Sequence, residues 1–130
     1  MLNKKTFGIL LLIWVIVILV LSLMPPKNVD ELPKIPHLDK VVHFVFYFIF
    51  TILFFLTFQN NKENVKKVAN IYILSFVVAF SLGICIEWLQ NTITQDRSGD
   101  LFDVLFNTFG TVVALIGMKY INKKLLINVK

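Results

Sequence analysis

The chain has one cysteine, Cys85, and its four prolines all fall between Pro25 and Lys40. A lone cysteine excludes an intrachain disulfide, and Cys85 lies in an apolar run, where it reads as a small packing residue. Charged residues make up only 16% of the chain. No HExxH, Walker or GxSxG motif is present, so no recognised catalytic chemistry is indicated and whether the chain is an enzyme stays open. Nothing in the sequence resembles a folded soluble module able to hold nucleic acid, although the net charge is +5.

What the chain has in abundance is apolar sequence: 57% of 130 residues are hydrophobic, and the mean hydropathy is +0.76. A soluble domain of this size needs more polar surface than that leaves. Four runs, Phe7–Met24, Val41–Phe58, Ile71–Leu89 and Leu101–Ile121, reach the roughly 20 residues (about 17–25) that cross a bilayer. The connections between them are short. The sequence therefore predicts one all-α, integral membrane four-helix bundle spanning residues 1–130 as a single domain.

The first run follows Lys4 and Lys5 and ends at Ser22-Leu-Met-Pro25-Pro26. Its apolar core is too long for a signal peptide and no small-x-small cleavage site follows, so it reads as a retained helix. Trp14 lies mid-run, as a packing or lipid-facing residue. The phenylalanines of the second run fall on all sides and read as lipid contacts and packing.

Orientation follows from lysine and arginine. Lys4, Lys5, Lys62, Lys66, Lys67, Lys119, Lys123, Lys124 and Lys130 lie on one side; Lys27, Lys34, Lys40 and Arg97 lie on the other. Nine against four places both termini in the cytoplasm, an N-in/C-in topology. The same bias accounts for the positive net charge. The expected location is a membrane with the cytoplasm on one side, crossed several times.

Two helices carry small residues at close-packing intervals. In the third, Ser75, Ala79, Gly83 and Glu87 recur every four residues, each step drifting only about 40° around the helix. In the fourth, Gly110, Ala114 and Gly117 continue the side begun by Asp103 and Asn107. Small residues let transmembrane helices approach closely. The expectation is an antiparallel pair, helices three and four, whose small-residue faces meet.

Polar residues gather at one end of this scheme. Asp39, Lys40 and His43 open the second helix; Glu87 and Gln90 lie near the end of the third; Arg97, Asp100, Asp103 and Asn107 lead into the fourth. Asn107 sits about 10 Å deeper than Asp100 at a rise of 1.5 Å per residue. Ionisable groups at such depth are costly and face the inside of a bundle. Each has a plainer alternative: Asn107 as a helix-to-helix hydrogen bond, Gln90 as a solvated amide, His43 as a packed histidine, Lys40 and Arg97 as counter-ions. Asp39, Glu87, Asp96, Asp100 and Asp103 outnumber Lys40 and Arg97 by three. Crowded carboxylates raise one another's pKa or recruit a cation, and Asp, His and Glu are candidate ligands for a divalent metal.

The motifs Ser22-x-x-Pro25, Asp39-Lys40-x-x-His43-x-x-x-Tyr47, Glu87-x-x-Gln90 and Arg97-x-x-Asp100-x-x-Asp103-x-x-x-Asn107-x-x-Gly110 occur in this order. With them the chain resembles the VanZ-like family of small bacterial membrane proteins across nearly its whole length. That family takes its name from an accessory protein of resistance to the lipoglycopeptide teicoplanin, separate from the enzymes that remodel the peptidoglycan terminus. The resemblance implies an antibiotic-resistance or cell-envelope role at the outer face. Three readings follow. The first is a pocket engaging membrane lipid, a lipid-linked cell-wall precursor or a glycopeptide. The second is a membrane-embedded enzyme, with His43 or Glu87 as general base and Arg97 on phosphate. The third is a structural bundle that acts as an oligomer.

Overall fold

Apolar runs without internal proline have one way to satisfy their backbone in lipid, which is to become helices. The computed structural model describes residues 3–24, 37–59, 65–93 and 100–127. They form four helices: α1 (Lys4–Leu23), α2 (Leu38–Phe58), α3 (Val65–Ile93) and α4 (Leu101–Ile127). All four contain a stretch long and apolar enough to span a membrane, and no strand occurs among the described residues. The expected all-α architecture is what forms. Helices α3 and α4 run past the predicted spans, to Val65 and Ile93 and to Ile127. Hydropathy marks where a helix leaves the apolar phase, not where its hydrogen bonding stops.

Asn3 caps α1, its side-chain oxygen accepting from the Thr6 backbone N–H at 2.9 Å, which satisfies one of the donors a helix start leaves open. Along α2 the buried set is His43, Phe46, Tyr47, Phe50, Thr51, Phe54 and Phe55, a three-four spacing that defines one inward face. On α3, Ile71, Ser75, Ala79, Gly83, Ile86, Glu87 and Gln90 are buried. On α4, Asp103, Asn107, Gly110, Thr111, Ala114 and Met118 are buried. By contrast α1 buries only Ile18 and Ser22, and among the described residues it lies against α2 and α3. The Trp14 indole, half-buried, donates to the Phe46 carbonyl of α2 at 2.9 Å, which removes an unpaired N–H from the apolar phase. Cys85 is exposed. It therefore does not pack in the bundle as expected, because it falls on the side of α3 opposite the Ser75–Glu87 row.

The tightest crossing is between α2 and α4. A Cβ on Gly110 would collide with the Phe44 carbonyl oxygen and stand 3.1 Å from the Phe48 nitrogen, both of α2. This corrects the expected pairing of small-residue faces between α3 and α4. Gly110 lies on the side of α4 that carries Asn107 and Thr111, and these bond His43 and Thr51 of α2. Gly83 sits where three helices meet: a Cβ there would lie 3.3 Å from Asn107 Nδ2 of α4 and 3.6 Å from Tyr47 Cε1 of α2. Around Gly117 nothing lies within 4 Å of a built Cβ, so it makes no close approach.

Candidate functional site

The cluster is assembled from α2, α3 and α4, whose ends meet at one pole of the bundle. At that pole Gln90 Nε2 donates to the Ser22 carbonyl of α1 at 2.8 Å, so Gln90 is turned towards α1 and fastens it.

Asp100 starts the site by starting α4. Its Oδ1 accepts from the Phe102 N–H at 2.9 Å, which explains why the helix begins at Leu101. That bond, and then the Lys40 ammonium beside it, hold the Asp100 carboxyl below the usual carboxylate range. Glu87 adds a second closure, its Oε2 accepting from the Asp100 backbone N–H at 3.3 Å. Carboxylates placed here also meet the positive end of the α4 dipole.

Lys40 forms the outer layer. Its Nζ lies 3.1 Å from Asp39 Oδ2, 3.1 Å from Asp100 Oδ2 and 3.5 Å from Asp103 Oδ1. The Phe102 ring lies 5.9 Å from the same ammonium. Beneath it, one helical turn down α2, comes His43, which is 4% exposed. His43 Nδ1 is 3.0 Å from Asn107 Oδ1 and 3.8 Å from Glu87 Oε1. Its Nε2 is 3.6 Å from Asp103 Oδ2. Glu87, Asp103 and Asn107 are all buried. A histidine thus stands between two buried carboxylates contributed by two other helices, an arrangement able to move a proton or hold a cation. His43, Glu87 and Asp103 each offer a ligand atom within 4.8 Å of the others.

A third polar layer follows. The Tyr47 hydroxyl is buried and has no hydrogen-bond partner among the described residues. Thr51 Oγ1 donates to the Tyr47 carbonyl at 2.7 Å and also lies 3.3 Å from Thr111 Oγ1, which donates to the Asn107 carbonyl at 3.0 Å.

Of the residues singled out in the sequence, Asp39, Lys40, His43, Glu87, Asp100, Asp103 and Asn107 come together in this stack. Arg97 lies outside the described residues. Ser75 and Ala79 line the buried row leading up α3 to the site, and Ala114 the corresponding row of α4. Sequence reasoning quoted Tyr47 in the family motif without placing it among the site residues, and passed over Thr111. The available signal was spacing, since each sits four residues past a site residue on the same face, Tyr47 after His43 and Thr111 after Asn107.

Residues 7–122 match the family described as VanZ/LLP1. No curated protein and no solved structure matches the chain.

Proposed function

Because the chain belongs to the VanZ/LLP1, or VanZ-like, family, we propose that it is a multi-pass protein of a bacterial cytoplasmic membrane whose polar pole faces outward. There it engages a lipid-linked envelope component or a lipoglycopeptide such as teicoplanin, in an accessory role in resistance. The observation that carries this reading is the burial of Glu87, His43 and Asp103 together below the Lys40 layer. Buried ion pairs contribute little net stability and are poorly explained as scaffolding. The lysine asymmetry supports the outward placement of that pole. A ligand with both a polar head and an apolar body fits a polar cluster at the mouth of apolar helix walls.

A second reading, a membrane-embedded enzyme acting on a lipid-linked or phosphate-bearing substrate, draws on the histidine set between two carboxylates. Binding separates the two. Fluorescently labelled teicoplanin and a labelled lipid-linked cell-wall precursor are titrated against the chain in nanodiscs. Saturable binding that weakens at least tenfold in Asp103→Asn supports the first reading. Turnover of the precursor supports the second, and neither binding nor turnover contradicts both.

A further inference from the structure

One contact in the polar stack is not accounted for by helix packing. His43 Nδ1 lies 3.0 Å from Asn107 Oδ1. A carbonyl oxygen only accepts, so Nδ1 carries the proton and Nε2 presents a lone pair. That lone pair faces Asp103 Oδ2 at 3.6 Å, and Glu87 Oε1 approaches the same ring, 3.8 Å from Nδ1. Both distances exceed the roughly 2.7–3.2 Å of an N–H···O hydrogen bond. The Nε2–Asp103 distance is close to what atoms sharing an ion need: with bonds of about 2.0–2.2 Å, two ligands stand roughly 3–3.5 Å apart, and His43, Glu87 and Asp103 offer ligand atoms within 4.8 Å of one another. A lone pair and a carboxylate facing each other in a buried site repel unless a proton or a metal cation lies between them, and 3.6 Å is longer than a shared proton gives.

We propose that His43 Nε2, Glu87 and Asp103 hold one divalent first-row transition-metal ion. One imidazole and two carboxylates suit Zn²⁺ or Mn²⁺. Each of the three helices α2, α3 and α4 supplies one ligand, so the ion joins them at the pole of the bundle. Asn107 acts as a positioning residue: by accepting from Nδ1 it fixes the tautomer that leaves Nε2 free for the ion.

A second observation, one turn deeper, is independent of the ligand trio. Tyr47 is 1% exposed and its hydroxyl has no hydrogen-bond partner among the described residues; Asn107 Nδ2, also buried, has none. Both side chains converge on Gly83, where a Cβ would lie 3.3 Å from Asn107 Nδ2 and 3.6 Å from Tyr47 Cε1. Buried donors are normally satisfied, and two left open next to the ligand trio call for an acceptor oxygen. With three protein ligands the ion keeps an open position for such an oxygen, from water or from a ligand's phosphate or carboxylate. Lys40 approaches Asp103 at Oδ1, at 3.5 Å, and leaves Oδ2, the oxygen facing His43 Nε2, to the ion.

The test needs no envelope ligand, so its failure and the failure of the binding reading above are separable. The chain, free of any histidine tag, is reconstituted in nanodiscs, equilibrated with Zn²⁺ or Mn²⁺ and assayed for bound metal by mass spectrometry. One ion per chain is expected. Glu87→Gln and Asp103→Asn should each weaken binding at least 100-fold, and Asn107→Ala about 10- to 100-fold, because it removes the acceptor that orients His43. X-ray absorption on the loaded wild-type chain should show one imidazole nitrogen among oxygen donors, a readout that stands even where a variant does not fold. Absence of a stoichiometric ion, an all-oxygen shell, or full binding by a folded Glu87→Gln/Asp103→Asn double variant would overturn the site. So would nitrogen NMR showing His43 protonated at Nε2 in metal-treated protein.

Discussion

Glu87 of α3 accepts a hydrogen bond from the backbone N–H of Asp100 at 3.3 Å, so a buried carboxylate on one helix closes the start of the next. The same carboxyl group faces His43 of α2. Helix capping and the candidate site are therefore one structure, and a change at Glu87 tests both.

Asp100 provides the pH dependence. Its folded carboxyl is held below the ordinary carboxylate range by the Phe102 N–H and then by Lys40. A depressed folded pKa stabilises the fold fully above the unfolded value of about 3.9 and is lost as pH falls through the folded one. Melting of wild type and Asp100→Asn in detergent should differ most at neutral pH. The difference should close below about pH 4. A difference that persists unchanged to pH 3 would mean Asp100 acts through something other than its charge.

Gly110 and Gly117 make a matched pair. Alanine is the better helix former by about 1 kcal/mol, so Gly117→Ala, with nothing within 4 Å, should leave thermal stability level or slightly higher. Gly110→Ala should destabilise by about 1–3 kcal/mol or more, because its Cβ meets backbone atoms of Phe44 and Phe48, which no rotamer change can clear. Detergent melting curves of the two variants decide. Equal behaviour would show that α2 and α4 do not cross at Gly110.

Trp14→Phe removes the bond to the Phe46 carbonyl and keeps the aromatic edge contact with the Phe46 ring. Hydrogen bonds within membrane bundles average about 0.6 kcal/mol. A small fall in stability is expected, with α1 still associated. Cysteine cross-linking between α1 and α2 should persist; its loss would show that the indole bond alone holds α1.

Topology has a direct readout. Reporter fusions at Asn61 and Lys130 should report the cytoplasm and those at Asn28 and Ser98 the outside, as the lysine asymmetry requires. An external signal at Lys130 would place the polar pole on the inner face and remove its access to the envelope.

Much of this was legible in the residues themselves. Apolar run length gave the four spans, and the four-residue recurrence of Ser75, Ala79, Gly83 and Glu87 gave the buried row of α3, because both depend on local periodicity. Depth of polar side chains marked Glu87, Asp103 and Asn107. What stayed hidden needed partners. Spacing places Gly110 on a buried side but cannot say whether α2 or α3 lies against it, and it cannot tell that Gln90 reaches a backbone carbonyl at Ser22. Cys85 was misread because an apolar run has the same composition towards lipid as towards protein. Thr111 was missed since threonine hydroxyls inside helices usually bond their own backbone, as Thr111 also does.

The central claim is that the buried Glu87–His43–Asp103 layer does work for the cell beyond holding helices together. It is tested most directly by comparing teicoplanin susceptibility with membrane abundance for Glu87→Gln and Asp103→Asn in a host whose tolerance depends on this chain. Each amide keeps the shape and removes a buried charge, a change a scaffold tolerates or even favours. The account predicts lost protection, most sharply for Asp103→Asn, with abundance unchanged and the melting temperature in metal-free buffer unchanged. Full protection by both variants at wild-type abundance would contradict it.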